Sequence, residues 1–237
     1  MLLFFVRHGD PTYDPDELTP LGHRQAEAIA HRLTRYGLDE IYASSSTRAI
    51  QTAMPTCEIL KTKPVILDWA NENHAWDQMT LPVDGHLRWG FATETLKELF
   101  TSKEIRELGA KWYDHPFFEN TSFKEGFLRI RKEAHAFLAQ HGFVWDEEKG
   151  RYHNIGQNDK RVALFAHHGF GVGFLSSVLD IPYPTVSEKM TFCHTGMTVI
   201  SFDPCEEYVI PTMLQLSNDS HLYNDGLPTR YNNNLYF

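Results

Sequence analysis

Two spacings of apolar residues divide the chain. Leu2-Leu3-Phe4-Phe5-Val6, Ile41-Tyr42-Ala43, Val65-Ile66-Leu67 and Val162-Ala163-Leu164-Phe165-Ala166 are short unbroken apolar runs. Such runs fit strands buried on both faces of a sheet. Between the first three, apolar residues recur every three or four positions, the period of a helix. Ala26, Ile29, Ala30 and Leu33 mark one helix, capped by Thr19, with Pro20 in its first position and Gly37 past its end. Ile50, Ala53, Met54, Cys57 and Leu60 mark the buried face of a second, starting near Ser46, which Pro55 should kink. Strands over Leu2–Val6, Glu40–Ala43 and Val65–Leu67 alternating with helices give a βαβαβ run. That order predicts a parallel sheet with right-handed crossovers.

The middle of the chain changes character. All five tryptophans (Trp69, Trp76, Trp89, Trp112 and Trp145) fall between residues 69 and 152. The spacing predicts one helix near Thr95–Leu108, stopped by Gly109. It predicts another over Phe123–Gln140, opened by a Ser122-x-x-Glu125 capping box. The segment reads as a helical, aromatic-rich insertion within a single domain spanning 1–237. Packing against the sheet is the favoured role for its aromatics; a cap over the active site whose wall selects apolar or aromatic substrates is the alternative. After a polar loop at Gln157–Lys160, Val162–Ala166 returns to the central sheet. Phe170–Leu179 is an apolar helix in which Gly171 and Gly173 allow close packing. Met197–Phe202 and Tyr208–Leu216 read as the last strands.

Composition narrows the function classes. The length of 237 residues suits one domain with a large insertion, and 42% hydrophobic residues suffice for a sizeable core. A net charge of −9 argues against a nucleic-acid partner, which needs a basic surface. Cys57, Cys193 and Cys205 lack metal-site spacing and read as reduced thiols, which points to the cytoplasm. Arg7 cuts the N-terminal apolar run too short for a signal peptide or membrane span. The ending Asn232-Asn233-Asn234-Leu235-Tyr236-Phe237 partly resembles a protease-tag scar but lacks the usual Glu, so it reads as native.

Candidate chemistry lies where the strands end. The first runs directly into Arg7-His8-Gly9 and the late one into His167-His168-Gly169. In open α/β sheets ligands bind at the carboxyl edge of the strands. Arginine offers a planar fork for phosphate, and histidine can act as a nucleophile. Arg48 sits near a helix N-terminus, where the helix dipole disfavours a cation; that placement argues for a bound anion.

Arg7-His8-Gly9, Leu18-Thr19-Pro20-Leu21-Gly22 with Gln25-Ala26, Ser44-Ser45-Ser46-Thr47-Arg48-Ala49-Ile50-Gln51-Thr52-Ala53, and the late strand ending in histidine stand in one order. In that order they resemble the histidine phosphatase superfamily, also called the phosphoglycerate mutase-like family, over about 1–72 and 160–202. The resemblance implies an α/β three-layer sandwich with a mostly parallel central sheet and a helical cap after the third strand. It implies a metal-independent phosphomonoester hydrolase with no cofactor, acting on a small phosphorylated metabolite through a phosphohistidine. His8 would carry the phosphoryl group, while Arg7, Arg48 and His167 would bind it. Strand register favours His167 over His168, which may then line the pocket or cap the next helix. Glu72, in Asn71-Glu72-Asn73-His74, best matches the general acid, with Asp68 and Asp77 as alternatives. Asp14 stands where the family often has a phosphate-contacting Asn, and His194 where it often has an Asn before its next strand; with His168 they are candidate substrate contacts, a surface-loop role being the alternative for His194. A mutase is one alternative, but the Asn-x-Phe-x-Gly-Trp segment of family mutases is missing after Gly9. A non-catalytic phosphate-binding module is the other; it would show loss of His8 or of the acid.

Overall fold

A computed structural model describes residues 1–83 and 85–230. The Asn232–Phe237 ending lies outside the described residues. The elements in chain order are β1 (Leu2–Arg7), β2 (Pro11–Tyr13), β3 (Asp16–Leu18), α1 (Pro20–Leu33), β4 (Glu40–Ser44), α2 (Thr47–Leu60) and β5 (Val65–Leu67). Next come α3 (Glu72–Met79), β6 (Thr80–Val83), β7 (His86–Trp89), α4 (Glu94–Phe100), α5 (Lys103–Leu108), α6 (Phe123–Gln140), β8 (Phe143–Asp146) and β9 (Arg151–Asn154). The chain closes with β10 (Arg161–Ala166), α7 (His168–Leu179), α8 (Tyr183–Lys189), β11 (Met197–Ser201), β12 (Tyr208–Val209), β13 (Thr212–Asn218) and α9 (Ser220–Asn224).

The fold is α/β, with a central six-stranded sheet in the order β13-β11-β1-β10-β4-β5. Strands β1, β10, β4 and β5 run parallel, while β11 is antiparallel to both its neighbours. The alternation of a strand sorts its side chains between two cores. Phe4 and Val6 of β1, with Ala163 and Phe165 of β10, pack with residues of α1 and α2. Leu3 and Phe5, with Val162 and Leu164, join a larger aromatic core with α6, α7 and α8.

Register then aligns the strand ends. Arg7 pairs with Ala166, and Phe165 with Ala43. The next residues, His8 and His167, therefore leave the sheet together at its carboxyl edge, beside Ser44, the last residue of β4. Two glycines let the loop after β1 press onto α1. A Cβ on Gly9 would stand 2.7 Å from the Gly22 carbonyl oxygen, and one on Gly22 would stand 2.2 Å from that of Asp10. This contact explains why Arg7-His8-Gly9 and Leu18-Thr19-x-x-Gly22 occur together.

Several local expectations change. Met54 is exposed, because α2 turns Arg48, Ala49, Thr52, Ala53, Thr56 and Cys57 inward. The helix expected over Thr95–Leu108 is two, because the Ser102 hydroxyl accepts from the Ile105 amide and starts α5. Ser122 makes no capping bond to α6; its hydroxyl donates to the Gln78 carbonyl instead. Tyr208–Leu216 divides into β12, which pairs with β9, and β13, which pairs with β11. The loop containing Pro11 and Pro15 holds the β2–β3 hairpin. Segment 69–152 carries the hairpins β6–β7 and β8–β9 besides its helices. Only its first part, through α3 and the residues after β7, reaches the carboxyl edge. Strand β8 lies toward the opposite edge, where Phe143 packs on Phe202, whose carbonyl accepts from the Met1 amino group.

Candidate active site

His8 is almost wholly buried at the end of β1. Its Nδ1 lies 2.7 Å from the Gly9 carbonyl oxygen, which can only accept, so Nδ1 carries the proton. Burial, with His167, Arg7 and Arg48 nearby, holds the ring well below the usual histidine pKa. A neutral ring with Nδ1–H fixed leaves the Nε2 lone pair free, the state a nucleophilic imidazole requires. The loop is held from two sides. The Gly9 amide donates to Thr52 Oγ1 of α2 at 3.0 Å, and the Asp10 amide donates to Gln25 Oε1 of α1 at 2.8 Å.

Two guanidinium groups flank this ring, each on a residue only 6% exposed. Arg7 donates through Nη1 to the Phe192 carbonyl at 2.6 Å. Burial lowers its pKa, with Glu72 acting in opposition. Arg48, in the first turn of α2, donates through Nη1 to Asp16 at 2.5 Å and through Nη2 to Glu72 at 3.3 Å. Asp16 also accepts from the Thr47 amide at 2.9 Å, so a carboxylate from the hairpin sits at the start of α2. That acid accounts for much of the misplaced cation noted in the sequence. The Nε atoms of both arginines are buried and unpartnered, leaving two donors for a further acceptor.

His167 follows β10 and is fully buried. Arg48 Nη2 donates to its Nδ1 at 3.1 Å, so Nε2 carries the proton and donates to Ser44 Oγ at 2.7 Å. Burial and the two arginines hold its pKa well down. The His8 and His167 rings lie 5.2 Å apart between centroids.

Glu72 opens α3. Its Oε1 accepts from the Gly169 amide in the first turn of α7 at 2.7 Å, and Oε2 faces Arg48. One carboxylate therefore bridges a helix N-terminus and a phosphate-type arginine. Asp68 is turned outward, accepting from Ser45 at 2.7 Å and pairing with His74 at 3.1 Å. Those contacts lower its pKa, which suits a permanent carboxylate and not a proton donor. Asp77 is exposed on α3.

His194 lies beside His8, with ring centroids 5.6 Å apart, and faces Asp10 at 3.5 Å through Nδ1. Its Nε2 is buried without a partner. Burial, then Arg7, lowers its pKa to about 3. His168 turns away, with Nδ1 3.5 Å from the Phe192 carbonyl and its ring against Phe91. Asp14 is exposed at the turn of the β2–β3 hairpin, outside the cluster. The sequence reading missed Asp16, Ser44, Thr52 and Gln25. The last three lie inside motifs already noted, so their positions were visible although their bonds were not.

Ligand atoms of His8, Glu72 and His167 all lie within 4.8 Å of one another, close enough to meet at one cation. Two buried guanidinium groups at the same place oppose a cation and favour a tetrahedral oxyanion.

The comparisons with known proteins agree with this geometry. The family model "Histidine phosphatase superfamily (branch 1)" matches residues 3–84. A curated protein of Hydrogenobacter thermophilus named "Putative phosphoserine phosphatase 2" is 29% identical over 104 residues, 37% of this chain and 51% of the relative. The chain thus spans about half the length of that relative. A phosphoserine phosphatase from Entamoeba histolytica, solved with 3-phosphoglyceric acid, superposes with a TM-score of 0.59 at 18% identity, over 93% of this chain and 98% of the other. A mycobacterial glucosyl-3-phosphoglycerate phosphatase solved with VO3 superposes with a TM-score of 0.58 at 19% identity, over 92% and 98%.

Proposed function

We propose that the chain is a member of the histidine phosphatase superfamily, whose model matches residues 3–84, and that it hydrolyses small phosphomonoesters through a phosphohistidine on His8, without a metal ion. One observation carries the reading. The bond from Nδ1 to the Gly9 carbonyl fixes the tautomer and leaves Nε2 free beside two buried arginines.

In the first step His8 Nε2 forms a bond to phosphorus as the bond to the ester oxygen breaks, and Glu72 protonates the departing alkoxide. Arg7 and Arg48 hold the equatorial oxygens, and the free Nε atoms of the arginines supply donors that the resting site leaves unused. His167 joins them once the bound anion draws a proton onto its Nδ1, which releases Arg48 Nη2 to the same oxygens. In the second step water attacks phosphorus, Glu72 takes its proton, and the P–N bond breaks to release phosphate. The named relatives act on small phosphorylated compounds, and we extend that class to this chain. Cys57, Cys193 and Cys205 are all free, which suits a reducing compartment, so we place the enzyme in the cytoplasm. Among the described residues no helix is long and apolar enough to cross a membrane.

The test is to mix the protein with p-nitrophenyl phosphate, quench in alkali and look for one acid-labile phosphoryl group. It should appear in the wild type, and both the adduct and turnover should vanish in His8→Ala. Full turnover by His8→Ala would end the covalent mechanism. Chelation should leave the rate unchanged. A strict need for a divalent metal would instead assign His8, Glu72 and His167 to a cation.

A further inference from the structure

Five non-glycine residues among those described have φ in the left-handed region: Lys61, Gln157, Asp180, Thr195 and Ser217. Thr195, with a φ of 55°, alone of these is β-branched and alone is wholly buried. A left-handed conformation is uncommon for any side chain and an outlier for a β-branched one. Thr195 stands third in the turn Cys193–Gly196, between α8 and β11, where the Gly196 amide donates to the Cys193 carbonyl at 3.0 Å. That place in a turn, with positive φ, favours Gly or Asn. The turn is also close-packed: a Cβ on Gly196 would stand 2.5 Å from Ser217 Oγ and 2.7 Å from Cys193 Sγ. A threonine here is strained, and strain of this kind gathers at functional sites.

The strained backbone aims one amide at the loop of the nucleophile. The Thr195 N–H is shared between the Arg7 carbonyl at 3.0 Å and the His8 carbonyl at 3.3 Å. The peptide unit joining His8 to Gly9 is thereby gripped at both ends, since the Gly9 amide donates to Thr52 Oγ1. The next unit carries the Gly9 carbonyl that accepts from His8 Nδ1, and Gln25 holds its amide end. Thr195, Thr52 and Gln25 thus fix the one oxygen that sets the tautomer of His8. The threonine hydroxyl in turn holds the left-handed turn. It donates to the His194 carbonyl at 2.7 Å, an oxygen that can only accept. It must therefore accept from His221 Nε2 at 2.9 Å, where the neutral ring carries its proton. Burial, then Arg32, lowers the His221 pKa to about 4, which keeps that ring neutral. His221 is only 5% exposed, so α9 backs the turn with a fixed donor.

We propose that Thr195 is a positioning residue for the nucleophile. Its hydroxyl, held by His221, locks a left-handed turn whose amide keeps the His8–Gly9 peptide, and so the His8 ring, aimed at phosphorus. The role rests on the hydrolase reading above. The Thr195 amide and hydroxyl are both spent on protein partners, so the residue acts through His8 and not on the substrate. Phosphate affinity should not depend on it, because the Arg7 guanidinium is anchored separately on the Phe192 carbonyl and Arg48 lies on α2. The rate should, since a small misplacement of a reacting group can cost about 10²-fold.

Three substitutions separate the hydroxyl from the shape. Thr195→Ser keeps the hydroxyl. Thr195→Gly loses it but accepts the left-handed turn without strain. Thr195→Val keeps the shape, loses the hydroxyl and resists the turn. Three readouts on the full-length protein decide between them: kcat for p-nitrophenyl phosphate, competitive inhibition by inorganic phosphate, and the nitrogen NMR spectrum of the histidine rings. The His8 signals are assigned by their loss in His8→Ala. Thr195→Ser should keep most of the rate. Thr195→Gly should lower kcat about tenfold and Thr195→Val about a hundredfold, with phosphate inhibition constants within about twofold of wild type. In the last two the His8 signals should move from a single Nδ1–H form to a mixture of tautomers. Thr195→Val as active as wild type would make Thr195 a packing residue and overturn the assignment. So would Thr195→Gly as active as Thr195→Ser, a comparison that stands even where Thr195→Val does not fold. A loss of phosphate affinity as large as the loss of kcat would overturn it too. Failure of the hydrolase reading would show separately, as no turnover by the wild type, while the ring spectra would still report the tautomer.

Discussion

The carboxyl ends of β1, β4 and β10 and the aromatic segment between α4 and α6 are both deeply buried, yet they are built in opposite ways. The first region gathers Arg7, His8, Arg48 and His167 at 6% exposure or less, with the Nε atoms of both arginines unpartnered. The second gathers Phe100, Trp112, Phe118, Phe123 and Phe127 around Tyr183, ring on ring, and its own unpartnered atoms, Trp112 Nε1 and the Tyr183 hydroxyl, belong to uncharged rings. Unpaired polar groups in a buried place work against folding and gain their partners only when an anion arrives. Packed rings stabilise the fold whether or not a ligand is present. The cradle should therefore respond to charge, and the aromatic segment to volume.

The widest separation concerns Glu72. General acid catalysis is typically worth about 10²–10⁴-fold. Glu72→Gln should slow alkyl phosphates by about that factor and p-nitrophenyl phosphate far less, since an activated aryl leaving group hardly needs the proton. Steady-state rates on both ester types check this. Equal losses on both would move the acid elsewhere.

Volume is tested at Trp112. Its side chain is fully buried, stacks on Tyr183 at 5.2 Å and meets Phe118 edge-on at 5.1 Å. Trp112→Ala should cost about 3–5 kcal/mol in urea unfolding. Turnover of p-nitrophenyl phosphate per folded molecule should hold within about twofold, since truncations far from reacting groups act through stability. A large fall in that turnover would tie the aromatic segment to the chemistry and blur the distinction.

Charge is tested by acid. Burial lowers the pKa of His8, His167, His168 and His194 below the usual histidine value. The unfolded chain then takes up protons before the folded one does. Stability is therefore complete above about 6.5 and falls as pH drops below it, by about 1 kcal/mol per histidine one unit lower. The window extends down to about 3 for His168 and His194. Urea midpoints should drop between pH 7.5 and 5.5, and inorganic phosphate should restore part of the loss by supplying the missing anion. A midpoint that stays flat over this range would refute the picture of strained, neutral histidines.

The same contrast explains what could be read from the sequence. Arg7 ends a short apolar strand, His8 and His167 directly follow one, and Arg48 lies in the first turn of the helix after another, so a local pattern placed them and register brought them together. Glu72 was found by its neighbours Asn71 and Asn73–His74, and its bridge to Gly169 by no local signal. Asp16 lay unnoticed two residues from Asp14, because the hairpin that turns one inward and the other outward is set by strand pairing. The Ser102 cap and the route of β8 and β9 depend on contacts distant in sequence, which periodicity does not carry.

The smallest expected effect lies on α2, where the periodic reading and the structure disagree over Met54. Arg48, Ala49, Thr52, Ala53, Thr56 and Cys57 face inward, leaving Met54 38% exposed. Apolar spacing alone places Met54 beside Ala53 and Cys57, whereas α2 lies close to the sheet on alanine, threonine and cysteine. Thr52 has a second reason to face inward, since its hydroxyl accepts from the Gly9 amide and donates to the Arg48 carbonyl at 2.7 Å. Met54→Ala should therefore change stability by no more than about 0.5 kcal/mol, the range of ordinary surface changes. Ala53→Leu on the buried face should cost about 1–3 kcal/mol by overpacking. It should also lower turnover, because Thr52, which braces the His8 loop, is the next residue. Urea midpoints and p-nitrophenyl phosphate rates on the two variants decide it. A loss of 2 kcal/mol or more at Met54 would return that side chain to the core and turn the helix away from the nucleophile's loop.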